Sequence, residues 1–123
     1  MSWLNEMRRA VADEVRAALA DGDPVRVIVD VRDASQVPAV LVDVPTVMFP
    51  SATGRKPEVQ IPLQVLAPAP GNADAVEWQL DVVGRLAEQL RPPPEAFRPG
   101  MYRMGQVDLP TFTATVIRHT LLC

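Results

Sequence analysis

Residues 58–90 read EVQIPLQVLAPAPGNADAVEWQLDVVGRLAEQL, and they contain both periodicities that define a mixed fold. In Glu58–Leu66 the apolar residues Val59, Ile61, Leu63 and Val65 alternate with Glu58, Gln60, Pro62 and Gln64, the two-residue period of a strand with one buried face. Pro62 cannot donate to a ladder, which predicts a strand at a sheet edge or bulged at that point. Ala67–Gly71 reads as a loop, and a helix follows from Asn72 or Asp74. Asp74 and Glu77 have the spacing of a capping box. Val76, Leu80, Val83, Ala87 and Leu90 step by four and three and form the predicted buried stripe. Trp78 and Val82 then lie about 160° and 120° from Val76, as a second apolar patch off that stripe. Arg91-Pro92-Pro93-Pro94 ends the helix and continues as a stiff extended connector.

The same reading extends in both directions. Ser2 caps a first helix to about Ala20, with Leu4, Met7, Val11, Val15 and Ala18 on one face and Glu6, Arg9, Asp13 and Arg16 on the other. Val25–Arg32 is predicted as a strand with Val25, Val27, Val29 and Val31 on one side. A turn around Asp33–Gln36 leads to a second strand, Ala39–Met48, which Pro45 breaks or bends. Pro50–Pro57 is a loop ending in Arg55 and Lys56. The last quarter is a predicted hairpin: Gly100–Val107, a turn at Asp108-Leu109-Pro110, then Thr111–Leu121. The expectation is a single α+β domain over residues 1–123, in the order α-β-β-β-α-β-β. It has a mostly antiparallel sheet of about five strands and two helices on one face.

Composition limits what this domain does. Of 123 residues, 48% are hydrophobic and 22% charged, ordinary for a globular chain. The 13 prolines are about twice the usual frequency of roughly 5%; their absence from 2–20 and 72–90 marks the two windows open to helices. Twelve basic and fifteen acidic residues give a net charge of −3, without the basic footprint of a sequence-specific nucleic-acid binder or a polybasic membrane patch. Arg8, Arg9, Asp13 and Glu14 interrupt any signal-peptide core. No stretch approaches the roughly 18 apolar residues of a membrane span.

The search for chemistry yields little. His119 is the only histidine and Cys123 the only cysteine, too few for a metal cluster or an intramolecular disulfide. A lone strand histidine and a terminal cysteine are poor candidates for catalysis. Asp30 and Asp43 alternate with Arg26 and Arg32 and read as a solvated cross-strand charge ladder. Gly54-Arg55-Lys56 lacks the spacing of a phosphate loop. The expectation is a non-enzyme with no cofactor and no catalytic or metal residues. The candidate contact residues are Trp78 and Val82 on the second helix, Arg55 and Lys56 at the loop tip, and Pro62 on the supposed edge strand.

Several segments together resemble a known family: PVRVIVDV at 24–31, EVQIPLQVLAPAP at 58–70, the helix 71–90, and MYRMGQVDLPTFTATVIRHTLL at 101–122. They are similar to the small tail-terminator, or tail-completion, proteins of long-tailed siphophages, particularly those of actinobacteriophages. The likeness covers nearly the full element order and is concentrated in Glu58–Leu90 and Leu109–Leu121. Asp108–Val116 is similar to a closing strand of the LPxYxVTV type, with Phe112 where Tyr is usual. The resemblance implies a virion protein assembled in the host cytoplasm. It would form a homo-oligomeric ring, a hexamer, on the head-proximal end of the tail tube. The ring stops tube polymerisation and docks the head connector, so the implied partners are itself, the major tail-tube protein and the connector, with DNA passing through the lumen. The alternatives are another neck component, a connector or stopper, or a minor tail protein. More remote are a small ligand-binding or enzymatic α+β domain and a regulatory or toxin–antitoxin partner.

Overall fold

A computed structural model describes residues 2–22, 24–30, 37–49, 56–68 and 72–119. The element order is α1 (Trp3–Ala18), β1 (Val27–Ile28), β2 (Ala39–Val42), β3 (Thr46–Met48), β4 (Glu58–Leu66), α2 (Ala73–Gln89), β5 (Arg98–Met104) and β6 (Val107–His119). The fold is α+β: the described residues form two helices and one mixed six-stranded sheet ordered β1-β2-β4-β6-β5, with β3 also pairing β4.

Helix α1 follows its sequence pattern. The Leu4 amide donates to the Ser2 Oγ at 3.2 Å, satisfying one of the free donors at the helix start. Val11 and Val15 are buried, Leu4, Met7 and Ala18 pack against the same core, and Glu6, Arg9, Asp13 and Arg16 face solvent. Helix α2 is capped by Asn72, whose Oδ1 accepts from the Ala75 amide at 2.8 Å; the Asp74–Glu77 spacing is not used for the cap.

Strand β4 spans the predicted residues but is central, not at an edge. β2 and β3 flank it on one side and β6 on the other, all antiparallel. Pro62 is accommodated because β2 and β3 are one strand interrupted. In β2, Val42 lies opposite Leu63; in β3, Thr46 lies opposite Gln60. The register therefore slips by one residue across Asp43–Pro45, a bulge. The Asp43 amide donates to the Pro62 carbonyl at 2.8 Å. N–H and C=O of one residue in an antiparallel strand point to the same side, so the donor that Pro62 lacks faces this interruption.

The first predicted strand shortens to Val27–Ile28 and pairs β2 in parallel, Val27 with Val40 and Ile28 with Leu41. The expected antiparallel turn is thus corrected; Val31–Gln36 lie outside the described residues. Where β1 stops, Arg8 of α1 supplies donors in its place. Its Nε and Nη2 donate to the Val42 carbonyl at 3.1 and 2.8 Å, and Nη2 also reaches the Val29 carbonyl.

The C-terminal hairpin turns earlier than predicted. Met104 pairs Val107, leaving Gly105–Gln106 as the turn. Gly105 has φ +63° and no described non-glycine residue has a positive φ, the type II′ pattern that suits the strand twist. Pro110 lies inside β6, where the β4–β6 pairing ends: the last paired residues are Leu66 and Thr111, and the Ala67 amide donates to the Pro110 carbonyl at 3.0 Å. Its missing donor costs only the end of a ladder.

Both faces of the sheet are covered. On one, Val59, Ile61, Leu63 and Val65 of β4 pack with Val40, Val42 and Val116 beneath the helices, through Val11, Val15, Val82 and Leu86. On the other, Ile28, Ala39, Leu41, Leu66 and Leu109 form a second buried cluster joined by Tyr102 and Met104. β1 and β5 are the two ends of the strand order, yet both contribute to it. Asp43, just past β2, acts on Tyr102 of β5 although β4 and β6 lie between those strands, so the sheet is curved, concave away from the helices.

Candidate functional site

The residues predicted for contact separate. Val82 is fully buried, and Trp78 packs against the helix–sheet core. Val76 and Leu80, assigned to the buried stripe, are instead 43% and 52% exposed. The inward face of α2 is Gln79, Val82 and Leu86, continued by Leu90, at steps of three, four and four. Gln79 is the reason the apolar period of α2 points to the wrong face. It is polar, so an apolar count skips it, yet its Nε2 donates to the Val65 carbonyl at 2.9 Å and the Pro110 carbonyl at 3.1 Å. A buried amide with two acceptors is satisfied in a core. Including it with Val82, Leu86 and Leu90 would have revealed the competing stripe.

Lys56 is exposed at the bend before β4; Arg55 lies outside the described residues, as does Cys123. Pro62 is on the central strand and offers no free edge. His119 is exposed, with Nε2 3.6 Å from the Glu58 carboxylate across the β4–β6 ladder. Asp30 and Asp43 do not face each other as a paired-strand couple, because β1 ends at Ile28. Asp43 Oδ1 accepts from the Val44 amide at 2.8 Å, and its carboxylate lies close enough to the Tyr102 hydroxyl to act on it. Burial first, then the nearby Asp43 carboxylate, raise the Tyr102 pKa above its ordinary 10.0. Among the described residues no group of three or more His, Cys, Asp or Glu side chains is placed to hold a metal ion. No described helix is long and apolar enough to cross a membrane.

What the geometry offers is surface. Large apolar side chains stand exposed at Val44, Met48 and Phe49 around β3, at Val76 and Leu80 on α2, at Met101 and Val107 on the hairpin, and at Ile117 on β6. A cleft of about 200 Å³ runs beside β6, lined by Glu95, Ala96, Arg98, Thr113, Ala114, Thr115 and Ile117. Its floor is a strand side that no neighbouring strand covers among the described residues. Backbone donors and acceptors at such an edge, with apolar side chains beside them, suit association with another extended chain. No protein-family model matches the chain, and no curated protein matches it.

Proposed function

We propose that this chain is a structural subunit of a siphophage tail, a tail terminator. It assembles with copies of itself into a ring at the head-proximal end of the tube, ends tube polymerisation and docks the head connector. The observation that carries the proposal is the spread of exposed apolar side chains over separate elements of one small domain: β3, α2 and the β5–β6 hairpin. Surfaces of this kind mark association sites, and a subunit in a closed ring needs distinct surfaces for two neighbours and for the layers above and below. The resemblance of Leu109–Leu121 to a terminator closing strand supports the same reading. The described part of that segment, Leu109–His119, lies in β6, the hairpin strand that pairs β4.

The test is tail length. Tails assembled without this chain are expected to run on past the normal length and to fail to join heads; adding the purified protein restores both. Normal, joinable tails in its absence overturn the proposal.

A further inference from the structure

We propose that copies of this chain join head to tail by strand pairing, the outer edge of β3 in one copy against residues 115–119 of β6 in the next. This rests on the self-assembling reading above and names the surface that makes the ring. β3 and the C-terminal half of β6 flank the same segment of β4: Met48 and His119 both lie opposite Glu58. Both are antiparallel to β4, so they run in the same direction. β5 pairs β6 only as far as Thr113. Among the described residues, no strand covers the outer side of Thr115–His119 or of Thr46–Met48. One molecule therefore carries two open edges on opposite sides of one sheet, the arrangement that lets the same contact repeat from copy to copy.

The hydrogen-bonding parity agrees. The Ala67 amide bonds the Pro110 carbonyl, so even-numbered residues of β6 direct their backbone groups toward β4. Thr115, Ile117 and His119 direct theirs outward. The bond from Asp43 to Pro62 likewise turns even-numbered β4 residues toward β2 and β3. Thr46 and Met48, opposite Gln60 and Glu58, then bond β4, and Val47 points outward. Parallel pairing of Val47 with this edge keeps Val47 on the face of Val116 and Met48 on the face of Ile117. The helices of successive copies then stay on one side of a continuous sheet.

Charge and composition favour a second copy as the occupant. Asp43 lies just upstream of β3. Arg98, opposite Thr113 and lining the cleft with Glu95, lies just upstream of the free edge of β6. With the strands parallel, the segment at Asp43 of one copy comes alongside Arg98 of the next, and the Asp43 carboxylate, which also faces Tyr102 of its own chain, adds charge complementarity there. Thr46–Phe49 carries no charge and no proline, the devices that blunt an edge meant to stay open. Pairing would cover Met48 and Ile117, both exposed in the single chain. One short strand pairing is small against the roughly 1,200 Å² of a stable interface; a closed ring holds each copy at two such contacts instead of one.

The test uses cysteine pairs in a Cys123→Ser background. Chains carrying Met48→Cys and chains carrying Ile117→Cys are mixed under mild oxidation. The expected product is the mixed disulfide, in excess over either homodimer. Predominant Ile117→Cys homodimers indicate two-fold β6–β6 pairing and overturn the proposal, as do predominant Met48→Cys homodimers. A second variant, Val47→Pro, removes an outward amide and leaves the β3–β4 ladder intact. It is expected to weaken association at least tenfold by sedimentation velocity, with unchanged circular dichroism. Undiminished association, or a protein that stays monomeric and gives no cross-link, overturns strand pairing. The tail-length assay decides the terminator reading separately.

Discussion

Two side chains decide how this domain closes, and they differ in how they announce themselves. Gln79 is invisible to an apolar count because its function is to be a buried amide between two strand carbonyls. Tyr102 is visible as an aromatic residue in a predicted strand, but its partner is not. Asp43 lies just past β2, which β4 and β6 separate from β5, and only a curved sheet brings the two together. Tyr102 is the sole tyrosine, so tyrosinate absorbance reports this contact without interference from another phenol. Its pKa is raised by burial first and by Asp43 second. The folded state therefore holds the phenolic proton more tightly than the unfolded chain. The stability linked to that proton is fully present below about pH 10, the unfolded value, and is lost as the pH rises through the higher folded value. Alkaline titration of the folded protein is expected to give a midpoint above 10 that returns to about 10 in denaturant. Asp43→Asn should move the folded midpoint only part of the way down, because burial persists. A folded midpoint at or below the denatured one would refute the contact.

At the level of elements, legibility followed locality. Helix α1 and strand β4 were readable because a strong apolar period depends only on neighbours in sequence, and both formed where the period placed them. What failed depends on distant residues. The edge position assigned to β4 came from Pro62 alone, whereas the proline is tolerated through a bulge in another strand. The turn expected at Asp108-Leu109-Pro110 forms instead at Gly105-Gln106, where Gly105 takes a positive φ. The junction of the helices shows the same dependence. The Arg85 Nη2 of α2 donates to the Leu19 carbonyl at 2.7 Å and to that of Asp21, closing the C-terminal end of α1, where free carbonyls favour a cation. Gly22, at φ +105°, sits against this guanidinium; a Cβ there would lie 3.2 Å from Nη2. Gly22→Ala is expected to destabilise by about 1–3 kcal/mol through backbone strain and crowding, and Arg85→Ala by about 1 kcal/mol. The double variant should cost less than the sum, since removing the guanidinium relieves the crowding. Additive losses in denaturant melts would place the two residues outside each other's influence.

The whole molecule was legible as a class and not as a surface. Two helices on one face of a sheet follow from apolar periods and chain order, but the outward-facing residues depend on how each helix is rotated. A rotation of α2 by roughly one residue step, about 100°, exchanges Val82 for Leu80. Curvature had no local signal at all: it arises because Ile28, Leu41, Leu66, Leu109 and Tyr102 bury one another across the concave face without a helix to cover them. The reassignment on α2 makes the sharpest comparison. Trp78 contacts the core, so Trp78→Asp places a charge against apolar packing and is expected to lower stability by about 3 kcal/mol or more. Any assembly defect in that variant would then follow from unfolding. Leu80 is 52% exposed, so Leu80→Asp should leave the melting temperature within a few degrees of the parent while weakening self-association or docking on tail tubes. Surface substitutions of this kind usually change stability by about 0.5 kcal/mol or less. Thermal melts and sedimentation velocity on both variants decide the matter. A stable, assembly-defective Trp78→Asp beside a fully competent Leu80→Asp would restore Trp78 to the interface and remove the exposed Val76–Leu80 patch from it.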